Sequence, residues 1–451
     1  MPSFVNSDNT KKIANVKPIE FRGVQNNLTN LNNPFNSPLD RLPFGSKVKP
    51  AELSKPNAFK LPVPGEGLPR VIHYCADQSG CGFWRMIWPG DEMLSQNKAV
   101  IMTLYQMVLL APFYQGIDAI RLQRQCTDAQ LEFVKFLRQV SDDLKKQTGK
   151  GFRLIWEVDD ICFPAEAIPD YNVCKTAFTD DKIGKTIKEM MNYCDEITVV
   201  SNTMREHYKK HLNFDKISVI PNYAPKYWLD KGIDEQRIIE KYRKNKKKPR
   251  ILYAGSATHF DLLNKSNQQD DFAGVVDAIA KDIMFTKKYE WVFMGGMPEK
   301  LRQFMGKGIE FHNWKEITEY PSHLKSIGAD VMIAPLADNI FSRAKANIKL
   351  TEAGALGIPM VAQNLDCYNS DGWEYLFDTS DQMFQQIANI LASENNYKHA
   401  VRSGREYADR FYLKDHVDEW ILLYTTEYGS EKRKENKYFY ENNKDQFKIT
   451  N

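Results

Sequence analysis

The chain contains no apolar run near the ~20 residues that a membrane-spanning helix needs, and no Cys-x-x-Cys, no His-Glu-x-x-His and no Cys/His zinc spacing. These absences argue against an integral membrane protein, a dithiol oxidoreductase, a zincin and a zinc finger. Charge of one sign is also missing. Lys and Arg total 61 against 58 Asp and Glu, a formal net charge of +3 over 451 residues, so a uniformly basic nucleic-acid coat is excluded while a local basic patch is not. The cysteines number seven, an odd count, and several sit inside apolar strand patterns. Buried, reduced thiols in a reducing cytosol are expected. The opening Met1-Pro-Ser-Phe-Val-Asn-Ser-Asp-Asn-Thr10 has no charged segment followed by an apolar one, so a secretory signal is not expected and a cytoplasmic location is.

What is present is alternation. Residues 1–66 are rich in Asn, Pro and Lys with little apolar periodicity and read as an extended or disordered arm. Short apolar runs then begin: Val71–Cys75, Ala99–Thr103, Ala119–Gln123, Phe152–Trp156, Ile197–Val200 and Ile217–Ile220. Helix-like stretches such as Asp128–Lys146 and Lys182–Tyr193 lie between them. Near-continuous apolar strands alternating with helices predict a parallel, doubly wound α/β sheet over 67–230. A charged linker, 231–249, includes Lys241-Tyr-Arg-Lys-Asn-Lys-Lys-Lys-Pro249. A second α/β series spans 250–405, with strands at Arg250–Ala254, Trp291–Met294, Ile309–His312, Val331–Ala334 and Pro359–Ala362. Residues 406–428 read as an aromatic-rich helix, and 429–451 as a frayed polar tail.

The densest chemistry lies in Ser342-Arg-Ala-Lys-Ala-Asn-Ile-Lys-Leu-Thr-Glu-Ala-Gly-Ala-Leu-Gly-Ile-Pro-Met-Val-Ala362. It reads as helix, tight turn and buried strand. Glu352 follows Lys349 by three residues and Lys345 by seven, so one helix face carrying all three is expected. A carboxylate there can accept two ribose hydroxyls, and cations near a helix start can hold a diphosphate. This segment resembles the nucleotide-binding signature of GT-B glycosyltransferases, particularly the large retaining group called family 4. Val219-Ile-Pro-Asn-Tyr223, Tyr253-Ala-Gly-Ser256, Phe293-Met-Gly-Gly296 and Ala329-Asp-Val-Met-Ile-Ala-Pro335 resemble that family's other segments, in its order.

The resemblance implies two Rossmann-like domains facing across a cleft, with 406–428 crossing back to the first domain. It implies a nucleoside-diphosphate sugar as donor, with no further cofactor, and transfer with retention to an acceptor hydroxyl. The donor-side residues it implies are Gly255, Ser256, His259, Trp314, Arg343, Lys345, Lys349 and Glu352. Ligands of open α/β sheets bind beyond the carboxyl ends of strands, where Gly255 and Ser256 fall. In one respect the sequence departs from the family: the first of its two glutamates falls on Ala344. No Asp-x-Asp triplet occurs, so no metal is expected at the diphosphate. On the first domain, Ser79-Gly-Cys-Gly-Phe-Trp-Arg85 follows the first strand. Gly80 and Gly82 can allow close approach of donor or acceptor and Arg85 can hold an anion, or form a structural salt bridge. Asp159 and Asp160 end another strand and can orient or deprotonate the acceptor hydroxyl, or cap the next helix.

The acceptor is open. The Asn/Lys-rich ends resemble those of phage-encoded proteins, and the positive arm (nine Lys/Arg against five Asp/Glu) and the run at 241–250 can contact phosphates. A hydroxymethylated base in phage DNA is therefore one expected acceptor, acting in the host cytoplasm. A glycan, lipid or protein is the other. A nucleotide-sugar 2-epimerase and a non-catalytic sensor of the same fold are the competing activities.

Overall fold

The computed structural model describes residues 67–229, 235–244, 248–261 and 269–444. The expected arm at 1–66, Lys246 and Lys247 of the cationic run, and residues 445–451 lie outside them. The first sheet consists of β1 (Arg70–Tyr74), β2 (Val100–Leu104), β3 (Ala119–Gln123), β4 (Arg153–Glu157), β5 (Glu196–Val199) and β6 (Ile217–Val219). They lie in the order β2-β1-β3-β4-β5-β6, every pair parallel. Each apolar run of the first half is thus a strand, displaced by at most one residue at either end. They read as continuous apolar runs because helices cover both faces: all five residues of β3 are buried. The crossover helix Asp128–Thr148 shows how local chemistry fixes its ends. The Thr127 and Gln130 side chains form a reciprocal capping box, and Gly149, at φ 80°, ends the helix in the left-handed region. Leu131, Val134 and Leu137 bury its core face, each worth about 1.5–3 kcal/mol relative to exposure.

The second sheet contains β7 (Arg250–Gly255), β8 (Glu290–Gly295), β9 (Ile309–His312), β10 (Val331–Ala334), β11 (Met360–Gln363) and the two-residue β12 (Leu376–Phe377), which is too short to show periodicity. Its order is β12-β11-β10-β7-β8-β9, again all parallel. The winding direction reverses between β1 and β3 in the first sheet and between β7 and β10 in the second. Crevices open at such reversals, beyond the carboxyl ends of the strands.

Two features of the C-terminal region differ from expectation. The stretch 406–428 is not one helix. A helix at Glu394–Asp409 ends, and a second, Leu413–Thr425, begins after Tyr412 forms a parallel bridge with Ala224. The second helix lies on the first domain, where Tyr424 Oη meets His73 Nε2 at 2.8 Å and Trp420 lies under the Arg121 guanidinium. The frayed tail is also corrected as far as residue 444. Glu431–Glu435 and Lys437–Asn443 are helical. Arg433 is fully buried on Glu196, at 2.6 and 2.8 Å. Asn443 donates to the Val219 carbonyl and accepts from its N–H, which covers the β6 edge. The polar composition of this stretch hides these two buried anchors. All seven cysteines are free thiols, five of them buried, and no helix among the described residues is long and apolar enough to cross a membrane.

Candidate functional site

The reversal point of the second sheet gathers most of the expected donor-side residues. β7 delivers Gly255 and then Ser256, whose hydroxyl meets that of Thr258 at 2.7 Å. β8 ends at Gly295 with φ 85°; a Cβ there would stand 2.5 Å from the Trp314 ring and 2.6 Å from the Gly255 carbonyl oxygen. Glycine is therefore required on conformational and steric grounds alike. Trp314 follows β9. It is 43% exposed, not a core aromatic, and it leans on Tyr320 at 5.4 Å between ring centroids.

Beyond β10 the chain forms the helix Ile340–Arg343 and then the helix Ile348–Ala355. Lys349 and Glu352 lie one turn apart on the latter. Lys345 does not share that face: the helix breaks at Ala344–Asn347, so Lys345 sits in the connection. Its ammonium is 4.0 Å from Asp160 of the first domain and 4.7 Å from the Phe341 ring centroid. The break lets Ala344 press into the first-domain core with Phe341, while the Ala344 carbonyl accepts from Ser201 Oγ at 2.7 Å. A glutamate at 344 would place a carboxylate in that apolar cluster.

Glu352 is 6% exposed and accepts a single long hydrogen bond, from Tyr320 Oη at 3.4 Å. Burial raises its pKa well above the usual carboxylate range, with Lys349 pulling the other way. Lys349 is lowered, by burial first and also by Lys345, against the attraction of Glu352. Its Nζ donates to the Ala254 carbonyl at 3.0 Å and lies 5.3 Å from the Tyr253 ring centroid. For Lys345, burial acts downward, but the carboxylates of Asp160 and Asp271 outweigh it and leave the pKa raised. Arg343 is corrected as a diphosphate ligand. It is half-exposed and engaged by Asp338 and Asp366, each at 2.7 Å.

His259 is buried rather than exposed, with Nδ1 2.6 Å from Asp271 Oδ2. Burial, then Lys349 and Lys345, lower its pKa to about 4, so a neutral imidazole faces an Asp271 carboxylate. Asp271 also accepts from the Ala337 N–H at 2.9 Å and from Tyr171 Oη, a first-domain residue, at 2.6 Å. Sequence reasoning missed Asp271, Tyr320 and Tyr171. Tyr171 lies 100 residues from its partner, and none of the three belongs to a motif.

On the first domain, Arg85 is corrected as an anion ligand. It is fully buried, bound to Glu157 at 2.5 and 3.2 Å, to the Ile220 and Pro221 carbonyls, and to Asn222. Its donors are spent on holding β4 to the end of β6. Gly82 serves the same packing, since a Cβ would come 2.0 Å from the Asp77 carbonyl; Gly80 has open space. Asp159 and Asp160 do stand at the carboxyl end of β4. Neither caps a helix, because the next helical turn, Ala165–Ala167, has Pro164 as its N-cap. Asp159 is 8% exposed and raised by burial against the pull of Arg124.

No protein-family model matches the chain, and no curated protein matches it in sequence. Solved structures do. Anabaena Alr3699/HepE in complex with UDP superposes with a TM-score of 0.52 at 9% identity, over 79% of this chain and 98% of that one. The same protein with UDP-glucose gives 0.50 at 9% identity, over 78% and 98%. The chain has the GT-B fold. A glycosyltransferase from Rickettsia africae ESF-5 superposes less closely, at a TM-score of 0.49 and 12% identity, over 79% of this chain and 98% of that one.

Proposed function

We propose that this protein transfers a sugar from a nucleoside-diphosphate sugar, a UDP-sugar by analogy with the HepE complexes, to a hydroxyl acceptor. The observation that carries this reading is Glu352, a buried carboxylate with one long hydrogen bond at the reversal point of the second sheet. Such a group costs free energy unless a ligand satisfies it. Two ribose hydroxyls donating to Glu352 would do so, and would draw its proton affinity back down.

The remaining groups fall into place around that anchor. Trp314 offers its exposed face to the base. The Gly255–Ser256 turn approaches the diphosphate with backbone amides. Lys345 exchanges Asp160 for the diphosphate and stabilises the charge that develops as the nucleotide leaves. His259, neutral and with its one N–H given to Asp271, turns Nε2 as an acceptor toward a sugar hydroxyl. Asp159 and Asp160 face the acceptor from the first domain, and retention of configuration rests on the family resemblance. The cationic run does not favour DNA as acceptor: Arg243 pairs with Glu394 and Arg250 with Glu290 and Glu310.

Incubation with a panel of nucleotide sugars and glycan acceptors, read by mass spectrometry for products and by proton NMR for the configuration of the donor sugar, tests the proposal. Free nucleotide together with a glycosylated product is expected. Inversion of the sugar at C2 without an acceptor would point instead to an epimerase.

A further inference from the structure

The carboxyl ends of β1, β3 and β4 meet at the reversal point of the first sheet. Asp77, Arg124 and Asp159 stand there. Asp77 is fully used: it accepts from Ser79 N and Oγ at 2.8 and 2.7 Å, from Gly82 N at 3.0 Å, and from Arg124 Nη2. Asp159 and Arg124 are not. Asp159 Oδ1 and Arg124 Nε are both buried atoms without a hydrogen-bond partner, and they face each other at 3.9 Å. The Cys81 thiol hydrogen-bonds the Asp159 carboxyl, and the Asp160 and Glu157 carboxylates lie near enough to act on it. A separation of 3.9 Å is too long for an N–H···O bond, yet one oxygen can sit within about 2.8 Å of both atoms. That oxygen must accept from Nε–H and donate to a carboxylate, which a hydroxyl does and a phosphate or carboxylate oxygen does not. Arg124 is also held at φ 49°, a left-handed conformation uncommon outside glycine and asparagine, and it directly ends β3.

We propose that Arg124 and Asp159 form a clamp for a hydroxyl group of a neutral, sugar-like acceptor. The charges around the clamp exclude an anionic group: Asp77, Asp159 and Asp160 stand against Arg124 and Lys345, three carboxylates to two cations. The clamp lies on the same side as Asp160, whose carboxylate approaches Lys345 of the donor side. A hydroxyl-bearing ring held by Arg124 and Asp159 is thereby presented to the donor sugar. This inference deepens the transferase reading and rests on it. Arg124 acts as a positioning and specificity residue.

Saturation-transfer NMR on the full chain saturated with UDP tests the clamp. The probes are glucose, galactose, mannose, rhamnose and N-acetylglucosamine, with glucose 1-phosphate as the anionic comparison. At least one neutral sugar should show transfer. Its affinity should fall about tenfold or more in Arg124→Asn, a residue suited to the left-handed backbone, and in Asp159→Asn, while UDP affinity measured by calorimetry stays the same. No transfer from any neutral sugar, a signal that survives both substitutions, or tighter binding of glucose 1-phosphate than of glucose would each overturn the clamp. Failure of the wild type to bind UDP would instead overturn the donor-site reading, and the two failures are distinguishable.

Discussion

Two clusters of buried charge sit at the carboxyl ends of the two sheets, and they are satisfied to different degrees. In the first domain, Glu157 receives Arg85 at 2.5 and 3.2 Å, Arg121 and Thr198, all buried. Burial alone would raise its pKa, yet Arg121 and Arg85 hold it below the usual carboxylate range. Trp420 of the returning helix closes the cluster over both guanidinium groups. In the second domain, Glu352 has Lys349 on its own helix and one hydroxyl at 3.4 Å, and its pKa moves the opposite way. Both carboxylates are buried, and what separates them is how far partners within the protein satisfy them.

The largest effect that would break this contrast is on stability. Arg85→Met leaves Glu157 short of one guanidinium partner. A loss of about 3–5 kcal/mol in urea unfolding is expected for breaking a fully buried pair. A loss below ~1 kcal/mol would mean that the first cluster is as dispensable as a surface pair.

The second effect is on pH dependence. Glu352 is raised in the folded state to about 7 by burial, so the folded protein holds this proton more tightly than the unfolded chain does. Its contribution to stability is fully present below the unfolded pKa, and is lost as pH rises through the folded one. The ligand-free wild type should therefore lose stability relative to Glu352→Gln between about pH 5 and 8. UDP should shrink the difference. A wild type that gains stability relative to the variant as pH rises would contradict the burial argument.

Much of this architecture was legible in the chain, for a physical reason. Strands covered on both faces show as apolar runs, and eleven of the twelve appeared that way. Lys349 and Glu352 were legible because helical spacing is local. Arg85 was not, because its partners Glu157 and Ile220 lie 72 and 135 residues away; a lone arginine after a glycine loop reads equally as anion ligand and as structural. The break at Ala344–Asn347 was hidden because it is driven by packing on the first domain, through Ser201. The helices of the tail were hidden because Arg433 and Asn443 look polar and are buried.

The third effect is small. Arg243 pairs with Glu394 at the surface, with its own side chain 67% exposed. Arg243→Ala together with Lys248→Ala should change stability by no more than about 0.5 kcal/mol and leave the salt dependence of any DNA binding unaltered. A flattened log-log salt slope would return the cationic run to the acceptor question. The smallest effect expected is none: sugar transfer should persist in EDTA, because Lys345 and the Gly255–Ser256 turn can supply the charge and donors at the diphosphate. Complete loss in EDTA, restored by manganese or magnesium, would contradict that account.

If the under-satisfied carboxylate of the second domain anchors the nucleotide as proposed, Glu352 must carry part of the affinity for UDP. Calorimetric titration of UDP into the wild type and Glu352→Gln at pH 8 tests it most directly. Weaker binding of UDP by the variant, about tenfold or more for the loss of hydrogen bonds to a charged acceptor, with undiminished unfolding free energy, is the expected result. Equal affinity in the two proteins would remove Glu352 from the site and contradict the account.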